Sequence, residues 1–515
     1  MSQPTFQQRL GLFDATMLVA GSMIGSGIFI VSAEIARDVG SAGWLMVVWL
    51  IAGLMTVLGA LAYAELAAMM PQAGGQYVYL REAYGPLWGF LYGWTSFTVI
   101  QTGTIAAVAV AFAKFLGVFA PTWGTGEAAV LLRLEGFHWV IAIPLPWADQ
   151  PLRIFERSAF TITRGQLVAV GLIWLLSLWN CRGVQSGKIV QNIFTVAKIG
   201  ALVVLIGLGL TLANSPEAIE RNTADWWGGL AQTRQSAEVA RVVPGVGPSV
   251  LALMVVGGAL VGALFSADAW NNVTFTAGET RDPQRVLPLS LMLGTGLVIG
   301  LYLLANLAYL AALPISGDPA GTTPFERGIA HAQDDRVGTA LMEQVAPGAG
   351  VSLMALAILI STFGCVNGMI LMGARLYYAM ATDRLFFRQV GTLNRNGVPA
   401  AGLLTQAAWA SLLVFSGTYG DLLDYVIFAA LLFYALTVAG LFVLRVRQPH
   451  ATRPYRAVGY PILPAVYILL CTVVMLDLLV VKPKSTWPGL ILVATGVPVY
   501  WLWSRLRQPA TRGGA

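Results

Sequence analysis

Apolar residues in this chain fall in long runs separated by short polar stretches. A helix that crosses about 30 Å of hydrocarbon needs about 20 mostly apolar residues, and the runs accommodate about twelve such helices. With soft ends they predict spans over 14–35, 44–70, 87–120, 164–182, 188–213, 249–279, 287–313, 349–380, 400–417, 422–447, 461–481 and 486–506.

Two runs are interrupted where a membrane helix ought to continue. The first reads GSMIGSGIFI from Gly21 to Ile30, with Gly25, Ser26 and Gly27 at mid-span. Glycine loses the most backbone entropy in a helix and disfavours it. In lipid, a broken helix persists only where its freed N–H and C=O groups face protein, water or a ligand. The sixth run, GALFSADAWNNVTFTAGE from Gly262 to Glu279, is interrupted at Ser266, Ala267, Asp268 and Ala269. Broken helices in corresponding positions of two halves point to a secondary transporter with a backbone-built site at the midplane. Helices 1–5 (14–213) and 6–10 (249–447) then form two inverted repeats. Helices 11–12 (461–506) pack outside, with tails at 1–13 and 507–515. The expected fold is an all-α membrane bundle of twelve helices.

Composition agrees. Of 515 residues, 57% are hydrophobic and only 11% charged, with a mean hydropathy of +0.70. A soluble chain carries about a quarter charged residues. Met1 to Phe13 is polar and the run after it is too long for a signal peptide, so the first span is expected to stay in place. Cys181, Cys365 and Cys471 lie in or beside spans, which argues against a disulfide framework and a cysteine metal site. No GxxxxGK[ST] loop is present, which argues against ATP-driven transport. No nucleophile–base pair suggests an enzyme, and His138, His331 and His450 all lie in loops.

The net charge of +6 is explained by topology. With the N-terminus inside, the short loops and the tail facing the cytoplasm collect arginine, including Arg81, Arg281, Arg285, Arg384, Arg388, Arg395, Arg445 and Arg447. The other face collects acids such as Glu217, Glu220, Asp318, Asp334 and Asp335. The positive-inside rule therefore places both termini in the cytoplasm, in a plasma (inner) membrane, and no nucleic-acid partner is needed. Loops 121–163, 214–248 and 316–348 are expected outside. The first holds Trp123, Trp139, Trp147 and the run PLPW, and is expected to lie on the membrane surface or cap the vestibule. It has no cysteine, so no disulfide-linked heavy chain is expected there.

Five motifs in order carry a family resemblance. They are GSMIGSGIF at 21–29, PQAGGQYVYLREAYGPLWGFLYGW at 71–94, NIFTVAK at 192–198, AWNNVTFTAGETRDPQRVLP at 269–288 and STFGCVNGMILMGARLYYAMATD at 361–383. The chain resembles the amino acid–polyamine–organocation superfamily, and within it the L-type amino acid transporters and their bacterial serine/threonine exchanger relatives. The resemblance implies a LeuT-like fold and alternating access without ATP; Asp268 and the small residues around it lean towards a small or polar amino acid such as serine, threonine or alanine, and no cofactor is expected.

Gly25, Ser26 and Gly27 are expected to bind the substrate carboxylate. An unwound turn exposes N–H groups, and the half-helix behind it adds positive dipole character. The resemblance gives the substrate ammonium to the Met23 carbonyl, to unwound carbonyls around Ser266, and makes Phe265 an aromatic gate. Three roles stand open for Asp268: a cap for the second half-helix, a contact to substrate, or a partner for Lys198. An ionisable residue at membrane depth is a functional candidate by default. Asn271 follows the break and joins the candidate site, with Gln101 and Thr102 as possible vestibule groups.

Lys198 lies about ten residues into its span, roughly 15 Å deep at about 1.5 Å per residue. The resemblance puts it where sodium-coupled members hold a sodium ion, bridging helices 1 and 8, and so implies sodium-independent transport. A buried lysine also shifts its proton affinity readily, which leaves proton coupling open. Arg81, Glu82, Glu279, Arg281, Asp282, Arg285, Arg375 and Asp383 form a candidate inner-gate network. The expected function is exchange or facilitated diffusion of a small α-amino acid. Proton-coupled amino acid or amine symport, and a sensor that binds without transporting, are the alternatives; the oligomeric state is left open.

Overall fold

The computed structural model describes residues 6–143, 152–416 and 419–506. The PLPW run at 144–147 and the tail at 507–515 lie outside the described residues.

Helices occupy all twelve expected segments, with ends shifted by a few residues. Among the described residues, nine are long and apolar enough to cross a membrane. The first span is α1 (Leu12–Met23) and α2 (Gly27–Val39), broken at the glycines. After α3 (Ala42–Met69) comes the short α4 (Gln76–Tyr84). The third span is α5 (Pro86–Thr95), a π-helical turn (Ser96–Ile100) and α6 (Gln101–Phe119). Next come α7 (Arg164–Asn180) and α8 (Val184–Thr211). Two short helices, α9 (Pro216–Ala224) and α10 (Arg234–Val242), occupy the expected loop 214–248.

The sixth span is α11 (Pro248–Ser266) followed by a 3-10 helix (Trp270–Glu279). α12 (Pro283–Ala312) follows, then α13 (Pro324–Arg327) and α14 (Val337–Val345) within the expected loop 316–348. The chain ends with α15 (Ala349–Thr382), α16 (Ala400–Val414), α17 (Tyr419–Arg447), α18 (Ile462–Val481) and α19 (Pro483–Leu506). α7, α16 and α19 fill the remaining expected segments without being among the nine.

The described residues of loop 121–163 include strands. They form an antiparallel hairpin of β1 (Val130–Ile143) and β2 (Leu152–Thr163). Alternation was masked there by runs such as Val130–Leu132, and apolar runs of that length fit several structures.

Packing follows a paired pattern. α1 packs on α8 and α12, as α11 packs on α17 and α3. α12 meets α8, as α3 meets α17, and α6 crosses α15 at the centre. Away from that centre, one ionic node ties three segments. Glu65 of α3 is fully buried and accepts hydrogen bonds from Arg445 at 2.6 and 3.0 Å and from the Ala457 N–H at 2.6 Å. Arg453 stands 3.3 Å from it. Removing one partner of a buried pair strands the other charge. Glu65→Ala is expected to lower stability by about 3 kcal/mol. Thermal unfolding of purified protein checks this, and an unchanged midpoint contradicts it.

Candidate functional site

The last turn of a helix leaves four carbonyls without intrahelical partners, and lipid supplies none. At the end of α1 every one is met by protein. Lys198 of α8 is 1% exposed. Its Nζ donates to the Gly21 and Ile24 carbonyls at 2.7 and 2.8 Å. Cys365 of α15 donates its thiol to Ser22 at 3.0 Å. Ser361, one turn earlier, sits 3.1 Å from the Ile24 and 3.0 Å from the Gly25 carbonyl. The Met23 carbonyl accepts from the Tyr302 hydroxyl of α12 at 2.9 Å and from the Gly25 N–H at 2.9 Å.

Tyr302 joins the two breaks. Its hydroxyl is also 3.0 Å from the Ser266 carbonyl. The second break continues through Ala267 and Asp268 to Ala269, whose φ of +64° is left-handed. A residue with a Cβ is uncommon there, and such strain gathers at functional sites. The following ten-residue 3-10 stretch is long for its type. Thr274 and Thr276 donate back to the carbonyls of Asn271 and Val273 at 2.7 and 2.8 Å, which reinforces it. The two breaks touch. A Cβ on Gly27 would lie 2.1 Å from Ser266 Oγ and 3.0 Å from its Cα, so glycine is required.

One narrow cavity brings Met23, Gly25, Ser26 and Gly27 together with Phe265, Ser266 and Asp268. Seven of the eight expected substrate residues thus meet. Asn271 lines an adjoining cavity with Asp268, Gln101, Asn272 and Tyr434. Asp268 borders both, and a third cavity beside Trp270 and Tyr467. Its carboxylate accepts the Tyr434 hydroxyl at 2.5 Å and the Ala269 N–H. Asn271 donates to Gln76 at 2.8 Å, and Asn272 to Gln101 at 3.0 Å. Gln101 follows the π turn, a distortion common at functional sites.

Several expectations need correction. Lys198 does not pair with Asp268; its ammonium is directed at α1. The Met23 carbonyl is not open, since Tyr302 occupies it. Thr102 does not reach the vestibule groups but donates to Phe97 at 2.6 Å. The inner-gate set does not form one network. Arg81 pairs with Glu82 at 2.8 Å and with Asp383, which also accepts from Tyr77 at 2.7 Å. Arg375 and Glu279 form a separate pair at 3.0 Å, each 1% exposed. Arg281 instead holds the N-terminal segment, donating from its side chain to Gln8 at 3.3 Å and from its N–H to Leu10 at 2.9 Å.

Tyr302, Tyr434, Gln76 and Ser361 escaped the sequence reading. Lone tyrosines in apolar spans carry no periodic signal. Ser361 and Cys365 had one: they are four residues apart in a recognised motif, hence on one helix face.

A family model described as amino acid permease matches residues 10–502. The chain belongs to the amino acid permease family. The b(0,+)-type amino acid transporter 1 of Homo sapiens is 26% identical over 97% of this chain and 88% of its own length. The large neutral amino acids transporter small subunit 2 of Oryctolagus cuniculus is 29% identical over 96% of this chain and 80% of its own. This permease is thus an integral membrane amino acid transporter, and not an enzyme.

The contact between the breaks makes a direct prediction. Gly27→Ala forces Ser266 or α2 to shift, and is expected to weaken amino acid binding at least about tenfold, ~1.4 kcal/mol. Equilibrium binding of labelled substrate to purified protein measures it; unchanged affinity contradicts the close approach.

Proposed function

We propose that this permease moves small α-amino acids by alternating access, without sodium, through exchange or facilitated diffusion. The observation that carries the reading is the pair of facing breaks bridged by Tyr302. The turn from Gly25 to Gly27, with the N-terminus of α2 behind it, suits an α-carboxylate through the N–H groups of Ser26 and Gly27, the Gly25 N–H being turned to Met23. The Met23 and Ser266 carbonyls suit the ammonium. A hydroxyl has one hydrogen to share between two carbonyls, whereas an ammonium has three donors. Tyr302 thus keeps the place that a substrate ammonium takes, and Phe265 closes over it.

Lys198 supports sodium independence. Its fixed charge holds Gly21 and Ile24, and Ile24 is shared with Ser361 of α15, so a cation already links the first break to α8 and α15. The paired packing of α1–α12 with α11–α3 supports a LeuT-like bundle of twelve spans, with repeats at 14–213 and 249–447. The arginine-rich loops favour cytoplasmic termini. On that side Arg81–Asp383 and Arg375–Glu279 serve as inner-gate pairs, with Arg281 fastening the N-terminal segment. The absence of cysteine between residues 121 and 163 fits a transporter without a disulfide-linked heavy chain.

One observation favours a second reading. Asp268 borders three cavities, and no ion pair neutralises it among the described residues. That favours a proton-coupled amino acid or amine symporter with Asp268 or Lys198 as the titrating group, and a cationic substrate would make Asp268 its counter-ion.

Reconstituted protein in sodium-free buffer is expected to take up labelled serine, faster into vesicles loaded with amino acid if exchange dominates. Uptake that requires a sodium gradient contradicts the reading, and a strong preference for lysine over serine selects the second one. Lys198→Ala is expected to cut uptake by about tenfold or more while the protein remains folded by circular dichroism, since a charge that holds two carbonyls is lost. Unchanged uptake would remove Lys198 from the mechanism.

A further inference from the structure

α18 lies outside the proposed repeats and is almost wholly apolar, yet it carries one carboxyl, Asp477, close to its C-terminal end. Asp477 is 9% exposed. Both of its oxygens are buried without a hydrogen-bond partner. The carboxyl faces backbone: a Cβ on Gly257 of α11 would lie 2.2 Å from Oδ2. The neighbouring Gly258 is approached by Gln235 of α10 and Val481 of α18. The glycine pair thus makes the slot that the acid enters.

Among the described residues no cation fills the slot. α11 has no titratable side chain from Pro248 to Ser266. On α10, Arg234 pairs with Glu238 at 3.0 Å in the open, and Arg241 is exposed. Lys482, beyond Asp477, stands 4.0 Å from Glu34 of α2. On α3, Glu65 is held by Arg445 of α17. Asp421 and Asp424 lie in the first turns of α17, and Lys484 in the first turn of α19. Among the residues whose side chains are described, none forms an ion pair with Asp477. An ionised carboxylate here has given up water and gained neither donor nor counter-charge, whereas the neutral acid avoids most of that cost.

We propose that Asp477 is a proton-binding site, separate from the substrate cavity, occupied when α18 packs on the glycine pair of α11 and emptied when the two helices part. The carboxylate takes its proton from solution and returns it there on opening, so no other reactant is needed. Gly257 is eight residues before Phe265, about 12 Å along the same helix. Because α11 ends in the second break, a proton at one end favours the closed arrangement at the other. This coupling rests on the reading of α11 as a gate element; the proton site itself does not.

Infrared spectroscopy of purified protein tests the site without transport. Wild type is expected to show the C=O stretch of a protonated acid that disappears in Asp477→Asn and returns, displaced, in Asp477→Glu. A band identical in wild type and Asp477→Asn overturns the site. In proteoliposomes, wild-type uptake is expected to fall about threefold between about pH 6 and about pH 9, and Asp477→Asn to stay near the acid-side rate. Coincident pH profiles overturn the coupling. Failure of uptake in both proteins, with the band intact, counts instead against the transport reading.

Discussion

The structure depends on what happens to the carbonyl groups where α1 stops. Lipid offers them no donors, so a helix broken at mid-membrane is stable only if protein supplies partners. Here those partners come from three other helices: Lys198 on α8, Ser361 and Cys365 on α15, and Tyr302 on α12. The break is therefore a joint at which four helices are fastened by hydrogen bonds. Among these four side chains, Lys198 spans the end of α1, donating to both Gly21 and Ile24.

Function follows from which groups that fastening leaves for a ligand. The carbonyl side of the break is saturated by fixed side chains, apart from Met23, whose partner is a hydroxyl shared with the second break. On the other side, Gly25, Ser26 and Gly27 line the cavity at the start of α2. In the proposed reading, positive character at one place and carbonyls at another, both presented by backbone, match the two ends of a zwitterion. Contact between Gly27 and Ser266 holds the breaks close enough for one small molecule to touch both.

Much of this was legible in the sequence. Gly25–Ser26–Gly27 and Ser266–Ala269 announced both breaks, because glycine and small polar residues are conspicuous in apolar runs. The span positions followed from length and hydropathy alone. The partners were harder to read. Tyr302 is one aromatic residue in an apolar helix, and only the fold places it between the breaks. Lys198 was visible as a charge at depth, but its direction toward α1 rather than Asp268 is a matter of packing. The sequence offers Arg81, Glu279, Arg281, Arg375 and Asp383 as one group, which the structure divides. Sequence could not divide them, since opposite charges scattered over four segments pair in many ways. The hairpin at 130–163 was missed because its apolar runs do not alternate cleanly.

The central claim is that the paired breaks recognise both ends of an amino acid at once. Competition binding tests it most directly, using purified protein, labelled serine, and analogues that lack either the carboxylate or the ammonium, such as ethanolamine and glycolate. The account predicts that serine displaces the label while neither analogue does so at a hundredfold higher concentration, about 2.7 kcal/mol weaker. Displacement by ethanolamine as effective as by serine would contradict it, since the Gly25–Gly27 turn would then contribute nothing to binding.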